Sequence, residues 1–190
     1  MYSKINYINK LLPYHNNLVI FVSNLSQLKH IDLLPDVSYY LRNKAFIKHI
    51  NNNKLSLISN LKLTNSLLSN VLIVLIDPLA NKSSEIGSSI IDQFSHQYLL
   101  NSNNLTFIFS DLLYTKYKKT VSDIIFGFSL KSYKFLKYKN INSKLKIEYL
   151  NLYKIKIFKE LKYKINLLDS INFTKDLVSE PANELNPVSY

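Results

Sequence analysis

An α/β layer structure with a mostly parallel (mixed) sheet flanked by helices is the fold class that this sequence predicts. Compact apolar runs of strand length stand at Leu18–Val22, Val71–Ile76 and Leu105–Phe109, and such runs bounded by turn residues mark strands buried on both faces. Helical periodicities lie between and after them, so strand and helix alternate along the chain. With 190 residues, 47% hydrophobic and 13% aromatic, the chain has material for one domain and its core.

Taken in order, Leu18–Val22 is bounded by Asn16-Asn17 and Ser23-Asn24, which sets both ends of a buried strand. Pro35-Asp36 opens a short helical pattern with Val37, Tyr40 and Leu41 on one face. That pattern drifts after Lys44, and Phe46–Ile50 and Leu55–Ile58 around Asn51-Asn52-Asn53 fit a hairpin equally well. Val71–Ile76 is the clearest strand and ends at Asp77-Pro78. After Ser83-Ser84, with Glu85 in the first turn, Ile86, Ile90, Phe94 and Tyr98 recur every fourth residue, the pattern of an amphipathic helix. Leu105–Phe109 is the next strand. Thr120-Val121-Ser122-Asp123 reads as a capping box, in which Thr120 accepts from the Asp123 amide and Asp123 reaches back. Val121, Ile124, Ile125 and Phe128 then line one helical face. Leu145–Leu150 reads as a short strand. A last helix runs from Ile155 through Phe158, Leu161, Ile165 and Leu168 to Ser179, and Pro181 stops it.

Composition removes several function classes. Cysteine is absent, so there is no disulfide framework, thiol nucleophile or thiolate metal site. Glycine occurs only at Gly87 and Gly127, which excludes glycine-rich phosphate loops. No apolar run reaches the length of a membrane span, and Met1–Leu12 has no continuous apolar segment of the export type. The expectation is a soluble, cytoplasmic chain with no membrane partner. The net charge of +11 would ordinarily point to nucleic acid. Yet Arg42 is the only arginine, and Lys, Asn, Ile and Tyr are enriched together, as A/T-rich codons dictate. A surface built to read phosphates or guanines favours the arginine fork, so the charge reads as mostly codon bias. A basic nucleic-acid-binding accessory module and a decayed gene product are the alternative readings.

Catalytic groups are sparse. His15, His30, His49 and His96 are scattered without metal-ligand spacing. Asp32 and Asp36 near a proline read as turn and cap, and no GxSxG elbow occurs. Asp77-Pro78 stands at a strand's carboxyl end, where α/β folds place ligands, but reads first as a strand-terminating turn. Two stretches stand out. In Ser132–Lys139 lysines interleave with Tyr133, Phe135 and Tyr138. This is either a stacking platform for single-stranded nucleic acid or, the reading adopted, a helix end whose rings pack while its lysines reach outward. The second, Phe173–Pro187, passes from a helical pattern into a Pro/Asn turn.

These two stretches carry a resemblance. Phe173-Thr174-Lys175-Asp176-Leu177-Val178-Ser179-Glu180-Pro181-Ala182-Asn183-Glu184-Leu185-Asn186-Pro187 resembles the junction of cytosolic leucyl aminopeptidases. There an Arg-Asp-Leu-Val stretch leads through a Pro-x-Asn turn into the catalytic domain; Lys175 stands in place of the arginine. The block from Gly127 to Lys139, with Leu130, Ser132, Tyr133, Phe135 and Tyr138, is similar to the family's Gly-x-x-Leu-x-Ser-Tyr-x-Phe-x-x-Tyr signature. Gly127, Ser132, Tyr133, Phe135, Tyr138, Asp176, Leu177, Pro181, Asn183 and Pro187 are thus the family-signature positions, with a structural role.

The resemblance implies a fold similar to macro domains over residues 1–150, a connecting helix over 151–180, and the start of a catalytic domain over 181–190. It implies a bacterial-type full-length enzyme that releases amino-terminal residues from peptides with two divalent cations, manganese or zinc, as a cytoplasmic homohexamer. The family's catalytic motifs, including Asn-Thr-Asp-Ala-Glu-Gly-Arg, do not occur here. No catalytic, metal or cofactor-binding residue is therefore carried over, and this chain alone is expected to be inactive. The glycine-rich loops of nucleotide-binding macro domains are also absent, so nucleotide binding is not expected. The implied partners are the chain's own catalytic domain and the hexamer. Without the catalytic domain, the connecting helix is expected to expose apolar surface.

Overall fold

A computed structural model describes residues 3–11, 17–31, 55–59, 70–79, 82–96, 104–133 and 147–180. Six strands form one sheet: β1 (Lys4–Ile8), β2 (Asn17–Val22), β3 (Leu55–Ser59), β4 (Asn70–Leu75), β5 (Asn104–Phe109) and β6 (Tyr149–Tyr153). Their spatial order is β1-β6-β5-β2-β4-β3. Every neighbouring pair is parallel except β3 with β4. The chain is therefore α/β, with a mostly parallel sheet. A 3-10 helix (Leu25–His30) follows β2, and the α-helices are α1 (Ser83–His96), α2 (Asp111–Lys116), α3 (Lys118–Ser132) and the long α4 (Lys159–Ser179).

The apolar runs become strands because both faces of the sheet are covered. Successive side chains on β2 alternate faces. Val19 and Phe21 join the layer that packs under the helices, while Leu18, Ile20 and Val22 join the opposite one. Every residue of β2 is buried, so no polar alternation interrupts it. The helix-side core is built around Phe21, Phe107 and Phe128, with edge-to-face ring pairs at 4.9 Å (Phe21–Phe107) and 5.0 Å (Phe107–Phe128). Ile90 from α1, Val121, Ile124 and Ile125 from α3, and Leu161 from α4 close it. Each such side chain contributes about 1.5–3 kcal/mol by leaving water.

The two glycines of the chain explain how closely α1 and α3 pack. A Cβ on Gly87 would overlap the Ile124 carbonyl oxygen, and one on Gly127 would overlap the Ser84 carbonyl oxygen. Each helix lays its one glycine on the other's backbone. Ion pairs fasten the helix layer: Lys131 to Asp92 at 2.7 Å between α3 and α1, and Lys164 to Asp123 at 3.1 Å between α4 and α3.

Several sequence expectations need correction. The capping box is absent: α3 begins at Lys118 with Tyr117 as its N-cap. Thr120 lies one turn inside, and its hydroxyl instead donates to the Pro78 carbonyl at 3.1 Å. Helical bonding in α3 starts with Val121 N–H donating to Tyr117 O, which puts the cap three residues before Thr120. The strand expected at Leu145–Leu150 runs from Tyr149 to Tyr153, with Leu150 and Leu152 in the core. The last helix starts at Lys159, so Ile155 and Phe158 belong to the segment before it. β1 and α2 carried no recognised signal. β1 is an edge strand that is mostly exposed or half-buried, so its alternation is weak. α1 forms after Ser83 as expected and is described to His96, and Ile90 is fully buried. The helix at Pro35, Phe46–Ile50, the Phe94 side chain and Tyr98 lie outside the described residues.

Candidate functional site

Of the positions that carry the resemblance, Ser132, Tyr133, Asp176 and Leu177 lie where α3 ends, α4 ends and the chain enters β1. Gly127 is fixed by the α1 backbone, as above. Ser132, in the last turn of α3, donates to Ser129 O at 2.8 Å and accepts from the Ser3 amide at 3.4 Å. Ser3 in turn donates to Ile147 O at 2.8 Å, just before β6. One residue on, Tyr133 leaves the helix and its hydroxyl donates to Asp176 Oδ1 on α4 at 2.6 Å. The Lys175 ammonium sits 5.0 Å from the centre of the same ring, a cation–π contact that fastens the junction a second time. Burial and the Asp176 carboxylate both oppose a phenolate, and the Tyr133 hydroxyl is pushed up to about 12. Leu177 accepts at the helix end from Glu180 N–H at 3.2 Å. Phe135, Tyr138, Pro181, Asn183 and Pro187 lie outside the described residues.

Tyr133 therefore packs as a helix-end anchor beneath a lysine, which is the packing reading of that aromatic stretch at the one ring described. The contact holds the end of α4 against the end of α3. Asp77, the other strand-end carboxylate considered, accepts from Leu79 N–H at 3.0 Å and is the strand-terminating turn that the sequence suggested. Asp32, Asp36, His15 and His49 lie outside the described residues.

A second feature carried no recognised signal. Parallel strands leave their loops on one side of the sheet, and the crevice forms where connections from neighbouring strands run opposite ways. Here β2 leads toward β4 on one side, and β5 leads toward β6 on the other. Between them opens a cavity of about 290 Å³, walled by the 3-10 helix after β2, the start of α2 after β5 and the turn after β6. Ile108, Phe109 and Ile155 give it apolar surface, and Ser110, Asp111, His30 and Lys154 give it polar groups. The signal was available in Phe109-Ser110-Asp111, a strand end followed by a helix-starting pair. α2 went unseen because six residues are too few for a periodicity to establish itself.

Among the described residues, no three or more His, Cys, Asp or Glu side chains come together as ligands for a metal ion. Those residues do not fit a two-cation centre. Among the same residues, no helix is long and apolar enough to cross a membrane.

The chain shares its fold with aminopeptidases. A mutant of the tomato leucine aminopeptidase superposes with a TM-score of 0.53 at 13% identity, over 98% of this chain and 40% of that one. The bottromycin maturation enzyme BotP in complex with manganese gives 0.54 at 10%, over 92% and 34%. An aminopeptidase from Trypanosoma brucei gives 0.52 at 12%, over 99% and 39%. The chain thus spans about two fifths or less of the length of these proteins. By sequence, no family model and no curated protein matches it.

Proposed function

We propose that this chain is the amino-terminal, non-catalytic part of a leucyl aminopeptidase. In this reading the macro-like domain runs to the end of β6 at Tyr153, α4 (Lys159–Ser179) is the connecting helix, and residues 181–190 lead into a catalytic domain. The observation that carries it is the extent of the fold match, which covers 98% of this chain and so takes in α4 as well as the sheet. The Tyr133–Asp176 bond supports it, because it joins the two stretches whose sequences resemble that family.

The work done by this chain's residues is positional. Gly87 and Gly127 set the spacing of α1 and α3; Tyr133 and Lys175 then fix the exit of α4 relative to that pair. A catalytic domain carried on α4 would be held at a defined angle to the sheet, where it could assemble with its copies and have its entrance narrowed. The divalent cations of the full enzyme would supply Lewis-acid activation of water and of the peptide carbonyl, in that domain and not in this one.

The test pairs an assay with a mass. The purified chain should leave a leucyl anilide intact with manganese or zinc supplied. An antibody raised against it should detect, in the native cell, a species much heavier than 22.2 kDa that cleaves the anilide when immunoprecipitated. Cleavage by the purified chain itself, or a native species near its own mass without peptidase activity, would overturn the reading.

A further inference from the structure

The two halves of α4 are docked by different means. The first half is held by apolar side chains: Leu161 and Leu168 are 0% and 1% exposed, and Ile165 lines the crevice between α3 and α4 with them. Lys164 fastens the same stretch twice, through its 3.1 Å ion pair to Asp123 and by lying 4.8 Å from the centre of the Phe126 ring, both on α3. Opening this half would bring core side chains into water.

One turn past Leu168 the pattern inverts. The next buried position is Asn172, 2% exposed, and neither its Nδ2 nor its Oδ1 has a hydrogen-bond partner. α3 adds a third such atom, the Oγ of Ser129, in the crevice that Ile165 and Leu168 also line. Phe173 and Val178 meanwhile stand 63% and 80% exposed, and Ile171 and Leu177 are only half-buried. A docked helix ordinarily buries its apolar stripe and leaves polar groups outside; the last turns of α4 bury a carboxamide and leave a phenyl ring outside. A buried polar group without a partner carries its desolvation cost for as long as the helix stays down. Detachment returns it to water, so opening at Asn172 recovers free energy where opening at Leu168 would lose it.

Among the described residues, the polar contacts that tie these last turns to α3 centre on Tyr133, through its 2.6 Å bond to Asp176 and the Lys175 ammonium 5.0 Å from its ring centre. We propose that residues 172–179 are a latched hinge. They detach from α3 and unwind together as one unit while residues 159–168 stay docked, and the Tyr133–Asp176 bond is the latch that sets how often they do so. Segments that move are drawn from the parts of a fold that open at least cost, and a helix end with two orphaned polar atoms beneath it is such a part. Anything carried on α4 past Ser179 changes its angle to the sheet at each opening.

The test is native-state hydrogen exchange of the full chain, followed amide by amide in low denaturant. Amides 172–179 should share one opening equilibrium, about a hundredfold or more easier than that of amides 161–168. Three variants separate this unit from unfolding of the whole chain. Ile124→Val weakens the helix-side core beside Gly87, a contact that survives the opening of the hinge. It should speed amides 161–168 about threefold or more and leave 172–179 unchanged. Tyr133→Phe removes the latch and should speed amides 172–179 about tenfold, and Asn172→Leu removes the orphaned amide and should slow them by a similar factor. If Ile124→Val speeds both groups alike, the helix end opens only with the whole chain and there is no hinge. Opening that grows steadily easier toward Ser179 is ordinary end fraying and overturns the unit. Faster exchange in Asn172→Leu, or no response to Tyr133→Phe, removes the orphan or the latch from the account. Peptidase activity does not enter these rates, so the hinge and the aminopeptidase reading fail separately.

Discussion

Tyr133 and Asp176 lie 43 residues apart in sequence and share a 2.6 Å hydrogen bond, with the phenol donating to the carboxylate. It is the point at which the end of α3 meets the end of α4. Close acceptance by a carboxylate makes this bond one of the stronger kind. Tyr133→Phe is expected to cost about 1–2 kcal/mol at neutral pH, read by denaturant unfolding.

That cost should itself depend on pH, and the sign follows from the direction of the shift. The Tyr133 hydroxyl ionises at about 12 in the folded chain, against an ordinary 10.0. Below 10 it is protonated in both states, and its contribution to stability is complete. As pH rises from 10 toward 12 the unfolded chain releases the proton first, and the contribution fades. The stability gap between the parent and Tyr133→Phe should therefore narrow over that interval. Asp176→Asn keeps an acceptor but removes the charge, so it should bring this phenol's ultraviolet titration back toward ordinary tyrosine. A gap that stays constant up to pH 12 would contradict the linkage.

Gly127→Ala and Gly87→Ala should be among the most damaging methyl additions available to this chain. Each would drive a Cβ into a carbonyl of the facing helix. Backbone cannot rotate away as a side chain does, so α1 and α3 must separate across the Phe128 core. Overpacking of this kind costs about 3 kcal/mol or more. Ser88→Ala, on the same helix but half-buried and bonded only to Glu85 O, should stay within about 0.5 kcal/mol of the parent. Comparable effects at the three positions would contradict the close packing.

The same glycines mark what could be read from sequence. Val71–Ile76 and Leu18–Val22 were legible because burial on both faces leaves an unbroken apolar run. The face formed by Val121, Ile124, Ile125 and Phe128 was legible because all four are buried. β1 was not, since an edge strand is held by its backbone pairing with β6 and needs few apolar side chains. Thr120 misled for a related reason: a threonine's local bonding pattern is the same whether its partner is a helix amide or the distant Pro78 carbonyl. Of the candidate site, Tyr133 and Asp176 were each singled out by resemblance, but their bond belongs to tertiary structure. The cavity at Ser110 was invisible for the same reason, because it exists only where three strand ends come together.

Asn172 offers a stabilising change. It lies on the inner side of α4 with 2% exposure, and neither its Nδ2 nor its Oδ1 has a hydrogen-bond partner. Leucine has nearly the same shape and requires no partners. Asn172→Leu should therefore raise stability by about 1–3 kcal/mol, the desolvation cost that an unpaired polar group carries. Thermal and denaturant midpoints measure it. A lowered midpoint would mean that the amide has a partner that leucine cannot replace.

The outward side of α4 leads to an expectation about association. Tyr163, Phe173 and Val178 are 65%, 63% and 80% exposed, and Ile157 just before the helix is 56% exposed. Apolar groups this open on one element are what a docking helix presents to its neighbour, and in isolation they promote self-association. Replacing Tyr163, Phe173 and Val178 together by lysine removes that surface without touching Leu161 or Leu168, which face the core. The parent should show a weight-average mass that climbs with concentration in sedimentation, and the triple variant should not. Because the changes are at the surface, unfolding free energy should move by no more than about 0.5 kcal/mol at each site. A parent that remains monomeric at every concentration would remove the case for α4 as a docking element. A triple variant that unfolds would instead mean that these side chains pack within the chain itself.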